Sequence, residues 1–325
     1  LHSDMMMDPV FPAEELGAPF DINDNTVTDK RERHVVIEEI RMRKDQPWTK
    51  VYNICNKNLY SSHPYKRDVI GTPEIISRLT REDIDNYYRK FYTPKNVTTI
   101  VVGDFNHDSV LNTLCEKFDF PNRIENENRV NNIDTPVSET KYIETKSNVQ
   151  TGYMMFGWLG PRAAELKDSI CLDLISIIFG DGSSSRLQQN LIEKLPEQIF
   201  NMIGSEHYQF KDGNNFFIQA NFKPEYKEKA LELVKQELAN LLTNRITEEE
   251  LAKAKKRTKS RFAYAAETVS EIGETIGYYV TVCDDLKLIE DYLAYLDSIT
   301  VDDLENAIKK YLSLNNSVIS VLMPE

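Results

Sequence analysis

The chain has 325 residues, 41% of them hydrophobic and 28% charged, with a formal net charge of −13 at pH 7. That length exceeds one ordinary core and suits two, and the composition is globular rather than disordered. The acidic balance argues against nucleic acid or an anionic membrane as partner and favours basic peptides at long range. No apolar run approaches the roughly 18 residues of a membrane span. The four cysteines, Cys55, Cys115, Cys171 and Cys283, are scattered without a CxxC pair. Such spacing points to free thiols in a reducing compartment, and hence to a cytoplasmic location.

In chain order, residues 1–8 read as the end of a helix and 11–28 as a loop. Helices follow near 29–43, with a second segment to about 56, then at 72–78 and 80–92. The β-branched run at 97–103 predicts a strand, and DFNHDSVLNTLCEKF a helix over about 106–118. FPNRIENENRVNNIDTPVSET (120–140) is polar and without periodicity, a linker. Beyond it come a strand at 150–158, a helix at 165–179, the loop GDGSSS, and a helix at 184–194. Strands near 199–209 and 215–222 precede helices at 224–243, 247–280, 284–296 and 300–312, and the strand 317–322 closes the chain. Strands and helices mix without strict alternation, so the expected class is α+β. GDGSSSRL lacks the G-x-x-x-x-G-K-[ST] pattern and follows a helix, so it reads as Gly180 ending one helix and a serine capping the next. The basic run KAKKRTK (253–259) reads as a solvated helix face, and His63 in SSHPY as a structural loop residue before proline.

The helix RERHVVIEEIRMR (31–43) poses a question. Glu32 and Glu39 stand two turns apart and share a face with Val35 and Val36. A valine-bearing face is expected to turn inward. Spacing alone leaves a bland alternative, surface carboxylates paired with Arg31, Arg33, Arg41, Arg43 and Lys44.

LTREDIDNYYRKFYTPKNVTTIVVG (79–103) matches ITVDDLENAIKKYLSLNNSVISVLM (299–323) without a gap, at an offset of 220. Thr80 with Asp83 and Thr300 with Asp303 form capping patterns, and a turn and a β-branched segment follow each helix. Duplication is the expected origin. The first domain is then 1–119, the linker 120–140 and the second domain 141–325. An equally long first copy would begin ahead of Leu1, so the first domain is expected to be cut at its front. At the same offset Glu39 corresponds to Lys259, which predicts that the second copy has no ligand there.

Three stretches carry a family resemblance: RERHVVIEEI, the succession SSHPYKRDVIGTPEIISRLTREDIDNYYRKFYTPKNVTTIVVGDF (61–105), and FGDGSSSRL (179–187). They resemble the zinc peptidases of the pitrilysin/insulinase type, the inverzincins, in the short branch that includes mitochondrial processing peptidase. The resemblance implies two duplicated α+β domains, each an antiparallel-rich sheet with helices on one side, enclosing a cavity. It implies zinc held by an H-x-x-E-H helix and a later glutamate, matched here by Glu39 as metal ligand. Glu32 matches the acidic residue that supports the site. The implied function is a zinc-dependent endopeptidase subunit acting on short or unfolded peptides, with a second homologous subunit as partner and no nucleic acid or membrane. The chain has no H-x-x-E-H, so alone it is expected to be inactive. The family's paired Arg and Tyr have Ile192 and Ile199 at the matching positions. A non-catalytic scaffold subunit of the same fold is the alternative, and a metal-free binding module a third reading.

Overall fold

The computed structural model describes residues 1–24, 31–119 and 134–325. Residues 25–28 of the expected loop at 11–28 and most of the expected linker at 120–140 lie outside the described residues. The helices in order are α1 (His2–Met7), α2 (Ala13–Leu16), α3 (Glu32–Asp45), α4 (Pro47–Leu59), α5 (Pro73–Arg78), α6 (Arg81–Phe91) and α7 (His107–Lys117). Strands β1 (Lys141–Ser147) and β2 (Gly152–Leu159) lead to α8 (Leu166–Phe179) and α9 (Arg186–Gln188), which continues as a wider turn over Gln189–Glu193. Then come β3 (Phe200–Tyr208), β4 (Asn215–Phe222), α10 (Lys227–Thr243), α11 (Glu248–Tyr264), α12 (Val269–Thr281), α13 (Lys287–Ser298), α14 (Val301–Tyr311) and β5 (Val318–Pro324). The α+β class expected from the sequence is the class observed. Among the described residues no helix is long and apolar enough to cross a membrane, and all four cysteines are free.

The chain divides into two compact units, Leu1–Asp45 with Asp68–Val130, and Gln46–Arg67 with Asn131–Glu325. In the first, the regular elements among the described residues are helices. Arg33, 2% exposed, anchors α3 by donating to the carbonyls of Ile76 and, at 3.1 Å, Gly17. Tyr88 on α6 donates to the carbonyl of Met6 at 2.7 Å. The segment 97–103, expected as a strand, is extended at its start but joins no ladder. A strand needs a neighbour, and among the described residues this segment has none.

The second unit is built on one sheet in the order β1-β5-β2-β4-β3. Only the β1–β5 pair is parallel. Strand β1 was not foreseen: KYIETKS is polar and half exposed, as an edge strand can be. The central strand β2 is apolar at almost every position, which signals burial on both faces. Met154, Phe156 and Trp158 point into the larger core with α8, α10, α11, α13 and α14. Met155 and Leu159 point the other way, onto Val51, Cys55 and Leu59 of α4. The helix expected over 247–280 is broken between α11 and α12, because Thr268 accepts from the Glu271 amide and starts a new helix.

Asp134 fastens the loop after α4. It accepts from the hydroxyls of Ser61 and Ser62 and from the amides of Ser62 and His63, the last at 2.8 Å. His63 is 3% exposed; its Nδ1 accepts from the Tyr65 amide, the structural role expected of it.

Two predictions follow from this packing. A Cβ on Gly157 would lie 2.6 Å from Cys55 Sγ and 2.9 Å from the Phe217 ring. Gly157→Ala is expected to cost about 1–3 kcal/mol by overpacking, and Cys55→Ala to relieve part of that cost. Urea denaturation in a double-mutant cycle measures the coupling, and strict additivity would show that α4 does not press there. For Asp134, burial opposes ionisation, but the Ser61, His63 and Ser62 hydrogen bonds outweigh it and hold the carboxyl at about 2, below its ordinary 3.8. A lowered folded value contributes stability above the ordinary value that is lost as pH falls through the folded one. Discounted for solvent screening, the stability gap between wild type and Asp134→Asn should be about 1 kcal/mol at about pH 6. It should narrow between about pH 4 and pH 2. Denaturation series across that range read it directly, and a gap independent of pH would refute the assignment.

Candidate functional site

Helix α3 turns a different face inward from the one expected. Arg33, Ile37 and Ile40 are 2%, 1% and 2% exposed, at helical spacing. Glu32 and Glu39 are exposed, and Val35 is 54% exposed. The expectation that the Val35/Val36 face is buried is therefore corrected: Arg33, with its backbone partners, and the two isoleucines set the inward side. The bland alternative is not what forms either. Glu38 pairs with Arg41, while Glu32 and Glu39 make no ion pair among the described residues. The helix carries two carboxylates and a valine on an open face.

Helices α6 and α14 coincide at an offset of 220, each with its capping box closed, and so do the short turns Pro94–Asn96 and Leu314–Asn316. Helices α3 and α11 differ in length, and neither their starts nor their ends fall at that offset. The inward residues of α11, the helix that packs on α8, are Leu251, Ala254 and Thr258, which are 3%, 1% and 7% exposed. Lys259 is exposed and pairs with Asp297 at 2.6 Å.

In the second unit, a cleft of about 840 Å³ opens between β3, the end of α8 and α11. Among the described residues strand β3 pairs with no strand but β4, so its other edge has no strand beside it, though the Ile203 carbonyl accepts from Gln188 Nε2 at 2.6 Å. Gly180 lets the end of α8 cross β3 closely, since a Cβ there would lie 2.1 Å from the Ser205 amide nitrogen. Asp181 beside it holds Arg257 at 2.8 Å and Arg261 at 2.6 Å. Within the cleft lining, His207 Nδ1 meets Asp173 Oδ1 at 2.7 Å. The other Asp173 oxygen accepts from Gln209 Nε2 at 2.7 Å, and Gln209 accepts from Tyr278. Burial raises the Tyr278 phenol, which keeps it a donor. The sequence reading did not single out His207. The available signal was its phase with Ile203 and Ser205, which places all three on one side of β3.

Ile199 is fully buried and Ile192 packs against the same core. Neither offers a polar group to a substrate. Among the described residues no three His, Cys, Asp or Glu side chains stand together as a metal site. Glu39 is a single carboxylate, so these residues by themselves do not fit a zinc ion, and no metal step is derived from them.

A sequence profile of the Peptidase M16 inactive domain matches residues 78–258, more than half of the chain. The chain belongs to the peptidase M16 family. It is 29% identical over 309 residues to the zinc protease PqqE of Helicobacter pylori, covering 90% of this chain and 66% of that protein. The crystal structure of a protease from Helicobacter pylori superposes with a TM-score of 0.80 at 27% identity, over 90% of this chain and 70% of that one. A peptidase M16 inactive domain from Pseudomonas fluorescens shares the fold, with a TM-score of 0.84 at 22% identity, over 99% of this chain and 73% of that one. The M16 chain described here thus spans about two thirds of the length of the curated relative PqqE.

Proposed function

We propose that this chain belongs to a zinc-dependent endopeptidase subunit that takes short or unfolded peptides. The observation that carries the proposal is the open face of α3. That face holds Glu32, Val35 and Glu39 in the open, and among the described residues neither carboxylate has an ion-pair partner. Two such carboxylates on one open face suit a site that needs further ligands. In this reading Glu39 supplies one ligand and Glu32 orients the site. The other ligands belong to the additional length of relatives named zinc proteases. Peptide would be held by strand addition, for which the free edge of β3 is available, and folded proteins offer few such strands.

A second reading has its own support. The matching profile is that of an inactive domain, and Ile192 and Ile199 lie in or against the core. These favour a non-catalytic scaffold subunit of the same fold; in the zinc-holding reading the Arg and Tyr would come instead from a second homologous subunit.

In the full gene product, Glu39→Gln should lower zinc content, measured by elemental analysis, and abolish cleavage of an unstructured fluorogenic peptide. Full zinc and full turnover in that variant would remove Glu39 from the site. The chain from Leu1 to Glu325 by itself should neither retain zinc through dialysis nor cleave the peptide. Chelator-sensitive cleavage by the homogeneous full-length protein, with no second subunit, would rule out the two-subunit arrangement and leave the zinc proposal standing.

A further inference from the structure

The phase of the sheet fixes which main-chain groups β3 turns outward. The Gly160 amide donates to the Asn214 carbonyl at 2.7 Å, so alternate residues 216, 218, 220 and 222 of β4 face β2. Asn215, Phe217, Gln219 and Asn221 then face β3, opposite Tyr208, Glu206, Gly204 and Met202. Ile203, Ser205 and His207 therefore turn their amides and carbonyls away from β4, in keeping with the Gln188 bond to the Ile203 carbonyl. Ile203 and Ser205 are 1% and 3% exposed, closed off by Gln188 and by the α8 turn at Gly180. His207 differs. Its side chain is 1% exposed while the residue as a whole is half-buried, so its accessible surface is main chain. We infer that, on the reading of β3 as a peptide-holding edge, Glu206 sets the specificity of that edge by pairing with a basic side chain of the peptide.

The open main chain of His207 fixes the register. It offers an amide and a carbonyl on one residue, which suits an antiparallel peptide residue that returns both bonds. A parallel partner would need the closed Ser205 carbonyl instead. The next peptide residue then lies opposite Glu206 in a non-hydrogen-bonded pair, the kind whose side chains approach most closely. Side chains alternate along a strand, so Glu206 points to the face opposite His207, away from α8. Glu206 is half-buried in the cleft lining and open to solvent there. The Tyr208 hydroxyl donates to its carboxylate. Burial raises the Tyr208 phenol, which keeps it a donor, and the rings of Tyr52 and Phe217 hold Tyr208 edge-on at 6.3 and 5.5 Å. The carboxylate is thus oriented, yet among the described residues it has no ion-pair partner. Arg261 in the same cleft is taken by Asp181 at 2.6 Å. An oriented carboxylate without a cation, next to the open His207 main chain, suits a lysine or arginine side chain on the added strand.

The test uses the full chain and acetylated, amidated peptides of strand-forming composition, with binding read by fluorescence anisotropy. Replacing one peptide amide at a time by an ester removes a single N–H donor. One position should matter, that of the residue opposite His207. Lysine, norleucine or glutamate is then placed at the next residue, the one opposite Glu206. Lysine should bind about threefold to fivefold tighter than norleucine, the scale of an opposite-charge cross-strand pair, and glutamate more weakly than either. The preference should shrink as salt rises. Glu206→Gln should abolish that order, and Glu206→Lys should reverse it to glutamate over lysine. Near-ultraviolet circular dichroism confirms that each variant is folded. Equal affinity for the three peptides, or an order that survives Glu206→Gln, overturns the inference, while a single ester-sensitive amide keeps β3 as a peptide edge. Two or more sensitive amides would mean that the Ser205 edge is open, which overturns the register and the role of Glu206 with it. If no peptide binds, or if no ester matters, the β3 reading fails and the assignment of Glu206 fails with it.

Discussion

The second unit depends on its sheet being covered on both faces. A strand such as β2, apolar at nearly every position, is stable only where neither face meets water. The larger core supplies one cover through α8, α10, α11, α13 and α14. The other cover is α4, a helix more than ninety residues earlier in the chain, brought so close that Gly157 has no room for a side chain beneath Cys55. Val51, Cys55 and Leu59 on α4 answer Met155, Leu159 and Phe217 on the sheet. Asp134 then ties the loop after α4 to the start of the segment leading into β1.

With both faces taken, only edges remain for function. Strand β1 closes one end and is polar. Strand β3 closes the other beside a cleft whose floor carries an oriented histidine. Gly180 and the Asp181–Arg257–Arg261 ion pairs hold the α8 turn over that strand, so the cleft wall is a fixed feature of the fold.

Helices α3 and α11 turn different chemistry inward. On α11 the face that packs on α8 carries Leu251, Ala254 and Thr258, so its only polar group is one hydroxyl. On α3 the inward residues are Arg33, Ile37 and Ile40, and the two carboxylates stand open. That placement fits the cost of burying an unpaired carboxylate, which greatly exceeds that of a hydroxyl.

Local chemistry made much of this legible in advance. Periodicity located nearly all the helices and four of the five strands, because apolar spacing and caps such as Thr80–Asp83 and Thr300–Asp303 act within a few residues. The gapless repeat made duplication the expectation, and the motif run from 61 to 105 placed the chain in a family. Tertiary structure decided the rest. Whether a helix face is inside depends on what packs there, so the valines of α3 misled while Arg33, Ile37 and Ile40 turned inward. Strand formation at 97–103 needed a neighbour the described residues do not supply, whereas the polar β1 had one in β5. The His207–Asp173 pair joins residues 34 positions apart, and no local pattern records a contact that only the packing of α8 against β3 creates.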